Sequence, residues 1–138
     1  MANFEEAYKR TSKFEGGYVN DPQDAGGETY NGISRKANPA WEGWKIVDEQ
    51  KKKSNFPSNL KSRKNELDNM ERSLYKSNYW DKVWGDKIKL QEVANDMYDT
   101  AVNMGVSMSI KLSERQFELV ETGKMSNDLL QQLNMVVR

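Results

Sequence analysis

The stretch Phe14 to Ser34, FEGGYVNDPQDAGGETYNGIS, constrains the fold most, because five glycines and a proline interrupt a chain that is otherwise patterned for helices. So many turn formers cannot continue a helix and admit only tight turns and short strands. Ahead of it, Phe4, Ala7, Tyr8, Thr11 and Phe14 recur at the i, i+3/i+4 spacing of one helical face. That spacing predicts a helix with Glu15 on its last turn, stopped by Gly16-Gly17. Asn20-Asp21-Pro22 and Asp24-Ala25-Gly26-Gly27 read as a tight loop that returns Asp24 or Asp21 towards Glu15. Glu28-Thr29-Tyr30 and Ile33, either side of an Asn31-Gly32 turn signal, read as short β-structure carrying Thr29 beside a cleft.

This placement has a consequence for Glu15. A helix C-terminus carries partial negative charge and apolar neighbours desolvate a carboxylate, so both favour the neutral acid and predict a raised pKa. A carboxyl kept protonated near neutrality suits a general acid.

The rest reads as helical scaffold. Leu60, Leu67, Met70 and Leu74 mark one stripe, with Ser58 or Asn59 as its start. Leu90, Val93, Ala94, Met97, Tyr98, Ala101 and Val102 mark the most apolar helix. Two more are expected around Ser109–Val120 and Asn127–Val136, the second capped by Ser126. Trp41–Ser58, with Gly43, Pro57 and three consecutive lysines, reads as a mobile connector. Tyr79-Trp80 reads as a core plug, whereas Tyr18 and Tyr30 flank the candidate acids and suit sugar stacking. Asp99 and Asn103 share a helix face, fitting either a cleft wall or a hydrogen-bonded polar patch.

Composition removes whole classes of chemistry. The chain has neither cysteine nor histidine, so disulfides, thiol catalysis, Ser-His-Asp catalysis and His/Cys zinc sites are excluded. The 21 basic and 21 acidic residues cancel, which argues against a nucleic-acid binder driven by bulk charge. The spacing of Asp21, Asp24 and Glu28 does not match an EF-hand loop, so no metal is expected. Lys51-Lys52-Lys53, with Lys61, Arg63 and Lys64, reads as a solvated face ahead of a site for anionic wall polymers. There is no long apolar run, so no membrane insertion is expected, and 138 residues point to one domain spanning 1–138. MANFEEAYKR lacks the pattern of a signal peptide, so synthesis in the cytoplasm is expected.

EGGYVNDPQDAGGETYNGIS closely resembles the signature of glycoside hydrolase family 108, a group of N-acetylmuramidases of phages, prophages and bacteria. The resemblance continues at YKSNYW (Tyr75–Trp80) and DTAVNMG (Asp99–Gly105). The segment is also similar to phage-type lysozymes of family 24. Their sites run Glu, eight intervening residues, Asp, five intervening residues, Thr; Glu15 and Asp24 keep the first separation and Thr29 comes one residue early. From about residue 106 the chain more loosely resembles a peptidoglycan-binding segment, with Glu121-Thr122-Gly123-Lys124 where that segment carries an Asp-Gly turn.

The resemblance implies a mainly α, lysozyme-like α+β domain with a small β-hairpin after the first helix. It implies a peptidoglycan hydrolase that needs no cofactor. Its catalytic residues would be Glu15, Asp24 and Thr29, with Tyr18, Asp21, Tyr30 and Asn103 binding substrate. The expected partner is the peptidoglycan glycan strand, met by a monomer at the cell wall after holin-type release or delivery. A lytic transglycosylase and a non-catalytic wall-binding protein are the alternatives.

Overall fold

The computed structural model describes residues 1–12, 17–21, 23 and 27–137. Glu15 and Asp24 lie outside the described residues. The chain divides into two compact units, Lys13–Leu74 and a second made of Met1–Ser12 with Tyr75–Arg138. Among the described residues it is mainly helical, with one small antiparallel sheet.

In the Lys13–Leu74 unit, β1 (Tyr18–Asn20), β2 (Glu28–Tyr30) and β3 (Ile33–Ser34) pair in the order β1-β2-β3. The predicted turn joins β2 to β3: Asn31 and Gly32 have φ of 46° and 84°, both in the left-handed region that a two-residue hairpin turn of type I′ requires. Helix α2 (Gly43–Lys51) occupies the region that reads as a connector in the sequence. It buries Trp44, Ile46, Val47 and Gln50. The lysines that obscure this pattern lie at its C-terminal end. Gly43 is required by packing, because a Cβ there would sit 2.3 Å from the Trp41 ring. Trp41 in turn stacks on Tyr30, with ring centroids 6.0 Å apart, and meets Trp44 edge-on at 5.2 Å. Both indole N–H groups donate to backbone carbonyls, Trp41 to Met70 and Trp44 to Asn38, so these tryptophans are core residues. A 3₁₀ turn (Ser58–Arg63) then leads into α3 (Lys64–Tyr75), which buries Leu67 completely.

The other unit holds α1 (Phe4–Thr11), a π-helical turn (Lys76–Trp80), a 3₁₀ turn (Gly85–Lys87), α4 (Gln91–Met104), α5 (Val106–Gln116) and α6 (Asn127–Asn134). Asn3 caps α1 by accepting from the N–H groups of Glu5 and Glu6. Ser126 caps α6 by accepting from Leu129, as its sequence position predicts. Helix α4 is the scaffold expected of the most apolar stripe: it packs against α1 and α5 and buries Val93, Ala94, Met97, Tyr98 and Ala101. Trp80 is the predicted plug, fully buried against Phe4 and Tyr98.

The loop after α5 is fastened to the helix by a buried carboxylate. Glu114 is buried on α5 and accepts hydrogen bonds from the backbone N–H of Thr122 and of Gly123 and from the Thr122 hydroxyl. Burial pushes its carboxyl up, but these donors outweigh burial and hold it below the usual value. Gly123 has φ of 74°, and a Cβ on it would meet the Ser107 hydroxyl at 2.4 Å. The Thr122-Gly123 turn is thus an internal fastening of α5.

Helix α1 closes earlier than its apolar stripe predicts. It ends at Thr11, and Ser12 is extended, its N–H donating to the Tyr8 carbonyl. Thr11 and Ser12 are residues whose hydroxyls compete with helical hydrogen bonding, and the Thr11 hydroxyl donates instead to Asp99 on α4 at 3.0 Å. The Glu15 expected on the last turn lies outside the described residues, and the field of this helix end acts within its own last turn, at Thr11 and Ser12.

Candidate active site

The described part of the candidate site is organised by the hairpin. Paired residues of an antiparallel sheet project to one face and neighbours along a strand alternate, so the register sorts the candidates. Tyr18 pairs with Tyr30 and Tyr30 with Ile33; Val19 pairs with Thr29 and Thr29 with Ser34. Tyr18, Glu28 and Tyr30 therefore share one face with Ile33, while Thr29 lies on the opposite face with Val19, which is 45% exposed.

A pocket of about 410 Å³ opens within this unit, lined by Gly17, Tyr18, Tyr30, Asn31, Pro57, Ser58, Leu60, Lys61 and Lys64. Gly17 is two residues along the chain from Glu15, and its conformation is fixed. Its N–H donates to the Asn31 side-chain oxygen at 2.9 Å, and its carbonyl accepts from the Asn31 N–H at 2.8 Å. The Asn31 amide then donates to Glu71, a buried carboxylate of α3, at 3.1 Å. Asn31 thus ties Gly17 to the helical scaffold. Sequence reading treats Asn31 only as a turn former and passes over Glu71, since a polar residue on a helix gives no local sign of burial.

Glu28 is the second residue that sequence reading undervalues. Its carboxylate accepts from the Tyr18 hydroxyl at 2.7 Å and pairs with Arg35 at 3.1 Å and with Lys51. Arg35 holds Asp48 in a two-pronged contact at 2.6 and 2.7 Å and lies over the Trp44 ring. Burial raises the Glu28 carboxyl, but hydrogen bonds from Lys51, Tyr18 and Arg35 outweigh it and hold the pKa below the ordinary 4.5. A depressed folded pKa adds stability above the unfolded value, and this is lost as pH falls through the folded value. Stability should therefore decline as pH drops below about 4.5. Glu28→Gln should flatten that acid limb in urea-unfolding series and cost about 2 kcal/mol near neutral pH. An unchanged acid limb would mean that this ion network is not what couples the hairpin to α2. Of the predicted basic run, Lys51 is engaged here, while Lys52 and Lys53 are exposed.

The other predicted residues separate. Tyr18 and Tyr30 come together at the pocket. Tyr18 is committed to Glu28 through its hydroxyl and meets Phe56 edge-on at 4.8 Å. Asp21 is exposed and accepts from the Gln23 N–H at 2.9 Å, an Asx turn within its own loop. Asn103 belongs to the other unit, where its amide donates to the Asp99 carbonyl one turn back, at 2.9 Å. No group of side chains suited to a metal ion occurs among the described residues. None of the described helices is long and apolar enough to cross a membrane.

Residues 8–105 match the model of the family described as glycosyl hydrolase 108. The chain belongs to that family. Family 108 membership makes it a glycoside hydrolase, and its lysozyme-like α+β fold and peptidoglycan-degrading class agree with what the EGG and GGET stretches imply. The solved structure of SagA from Brucella abortus is similar, at 25% identity and a TM-score of 0.65, over 97% of this chain and 70% of that one. No curated protein matches this family 108 chain.

Proposed function

We propose that the protein is an N-acetylmuramidase, hydrolysing the β-1,4 bond between N-acetylmuramic acid and N-acetylglucosamine with Glu15 as general acid. The observation that supports this reading is the family 108 match, whose range of residues 8–105 includes Glu15, Asp24 and Thr29. Glu15 protonates the glycosidic oxygen as the bond breaks. Asp24 stabilises positive charge developing on the sugar or orients the attacking water, and Thr29 helps hold that water. Thr29 suits this role by lying on the open face of β2, away from the packed face that carries Tyr30 and Ile33. No step requires a metal or an organic cofactor. Asp21 and Asn103, each exposed in its own unit, are the further substrate-binding candidates.

The similarity to family 24 suggests direct attack by water and hence inversion at the anomeric carbon, for which the two carboxyls stand roughly 6.5–9.5 Å apart. Muropeptide mass analysis after digestion of purified peptidoglycan tests the reaction. The expected products carry hydrated, reducing muramic-acid ends, with the α-anomer appearing first. Anhydro ends would identify a lytic transglycosylase, in which the muramic acid 6-hydroxyl replaces water. Retention of wall binding with no product would identify a binding protein.

A further inference from the structure

The pocket beside the hairpin has a donor set of its own. Most polar groups around it are used internally: Tyr18 donates to Glu28, Asn31 is consumed by Gly17 and Glu71, and Lys64 pairs with Asp68 at 2.6 Å. Three lining side chains are left over. Lys61, the Ser58 hydroxyl and the Tyr30 hydroxyl make no hydrogen bond or ion pair with any described residue, yet all line this one pocket. Burial, together with the nearby carboxylates of Glu71 and Asp68, raises the Tyr30 pKa, so its hydroxyl stays protonated and available as a donor. A cation with two hydroxyl donors, walled by Tyr18, Pro57 and Leu60, is complementary to a carboxylate on a short, partly apolar chain.

The position of the pocket narrows the ligand. It opens on the Tyr18/Tyr30 face of the hairpin, whereas Thr29 lies on the other. A group anchored to the sugar at the Thr29 face must pass a sheet edge to reach Lys61, roughly the 10 Å that separates stacked layers. The lactyl group of muramic acid is too short. A stem peptide, extending about 3.3–3.6 Å per residue, covers that distance in about three residues.

We propose that this pocket is a subsite for the acidic stem peptide carried by muramic acid, with Lys61 pairing a peptide carboxylate and Ser58 and Tyr30 donating to it. The subsite would make the enzyme prefer peptide-bearing glycan over bare glycan. The proposal rests on the muramidase reading for the identity of the sugar, and its test is a binding measurement that needs no turnover.

Calorimetric titration of the 138-residue chain carrying Glu15→Gln would use three soluble ligands. These are a peptidoglycan tetrasaccharide with its stem peptides, the same tetrasaccharide after an amidase has removed them to leave free lactyl carboxylates, and the uncharged tetramer of N-acetylglucosamine. The peptide-bearing ligand should bind about tenfold more tightly than either of the others, the weight of one charge-assisted hydrogen bond. Lys61→Glu should abolish that preference, Lys61→Arg should keep it, and added salt should reduce it. Lys61 is exposed and pairs with no described residue, so these variants should fold normally. Equal binding of the three ligands, or a preference unmoved by Lys61→Glu, would overturn the proposal. Binding of the amidase-treated ligand as tight as the first would also overturn it, by assigning the pocket to the lactyl carboxylate. Failure of the wild-type chain to cleave a ligand that it binds with this preference would count against the muramidase reading alone.

Discussion

Replacing Glu15 with Gln should lower the rate of reducing-end release from purified peptidoglycan by at least about 10²-fold, with the unfolding transition unchanged. Glutamine keeps the size of the side chain and its carbonyl oxygen but has no acidic proton to give to a leaving alkoxide. A departing sugar oxygen that must leave unprotonated raises the barrier by at least about 3 kcal/mol on the scale of general-acid catalysis. The family 108 match includes this glutamate, and the clamp of Gly17 by Asn31 and Glu71 gives the chain just after it a fixed anchor. Asp24→Asn should show a comparable loss only if Asp24 acts on the water or on the developing charge. A Glu15→Gln protein that still releases reducing ends at the wild-type rate would remove Glu15 from the acid role. The acid role requires Glu15 to hold its proton near neutral pH. A pH–rate profile is the direct probe of that, because its alkaline limb reports the pKa of the group that must be protonated.

Trp80→Ala should be the most damaging change to stability, costing about 3–5 kcal/mol, a large part of the roughly 5–15 kcal/mol that holds a typical domain folded. The indole is fully buried, packs against Phe4 at 5.7 Å and Tyr98 at 6.0 Å between ring centroids, and donates its N–H to Asp86 at 2.8 Å. The backbone has adapted to it. A Cβ at Gly85 would sit 2.2 Å from the indole, and Trp84 adopts the left-handed conformation, with φ of 57°, as the chain rounds it. Alanine would leave a cavity that these fixed neighbours cannot close. Trp80→Phe separates the contributions, since it retains most of the ring volume and leaves only the Asp86 hydrogen bond unmade. Equilibrium urea unfolding should show the alanine variant losing well over twice as much as the phenylalanine variant. A loss below about 1 kcal/mol for alanine would mean that Trp80 does not organise this core.

Much of this protein could be read from local pattern. The stripes around Leu67 and around Val93–Ala101 became α3 and α4, Ser126 became a helix cap, and Asn31-Gly32 became the hairpin turn. These features are written in neighbouring residues: helical periodicity, a capping oxygen, two residues tolerant of positive φ. The same locality carried the family, because Glu15, the glycines and Thr29 fall in one short run. Helix α2 was missed because its buried face depends on Trp41 filling the space above Gly43, a contact between side chains that a count of glycines and lysines reads as a loop.

What the sequence determined by itself is the class of chemistry and the order of most elements, since the lack of cysteine and histidine leaves carboxylates to act and the turn-rich run admits only tight turns and short strands. What only the tertiary structure decided is which side chains meet. Strand register set Tyr18 beside Tyr30 and Val19 beside Thr29, pairs that lie far apart in the chain. Burial made Glu71 and Glu28 anchors for the hairpin, and folding set Lys61 at the pocket with no partner among the described residues. The reason is physical: periodicity and turn chemistry act between neighbours in sequence, whereas the worth of a charge depends on desolvation and on partners that folding brings from tens of residues away.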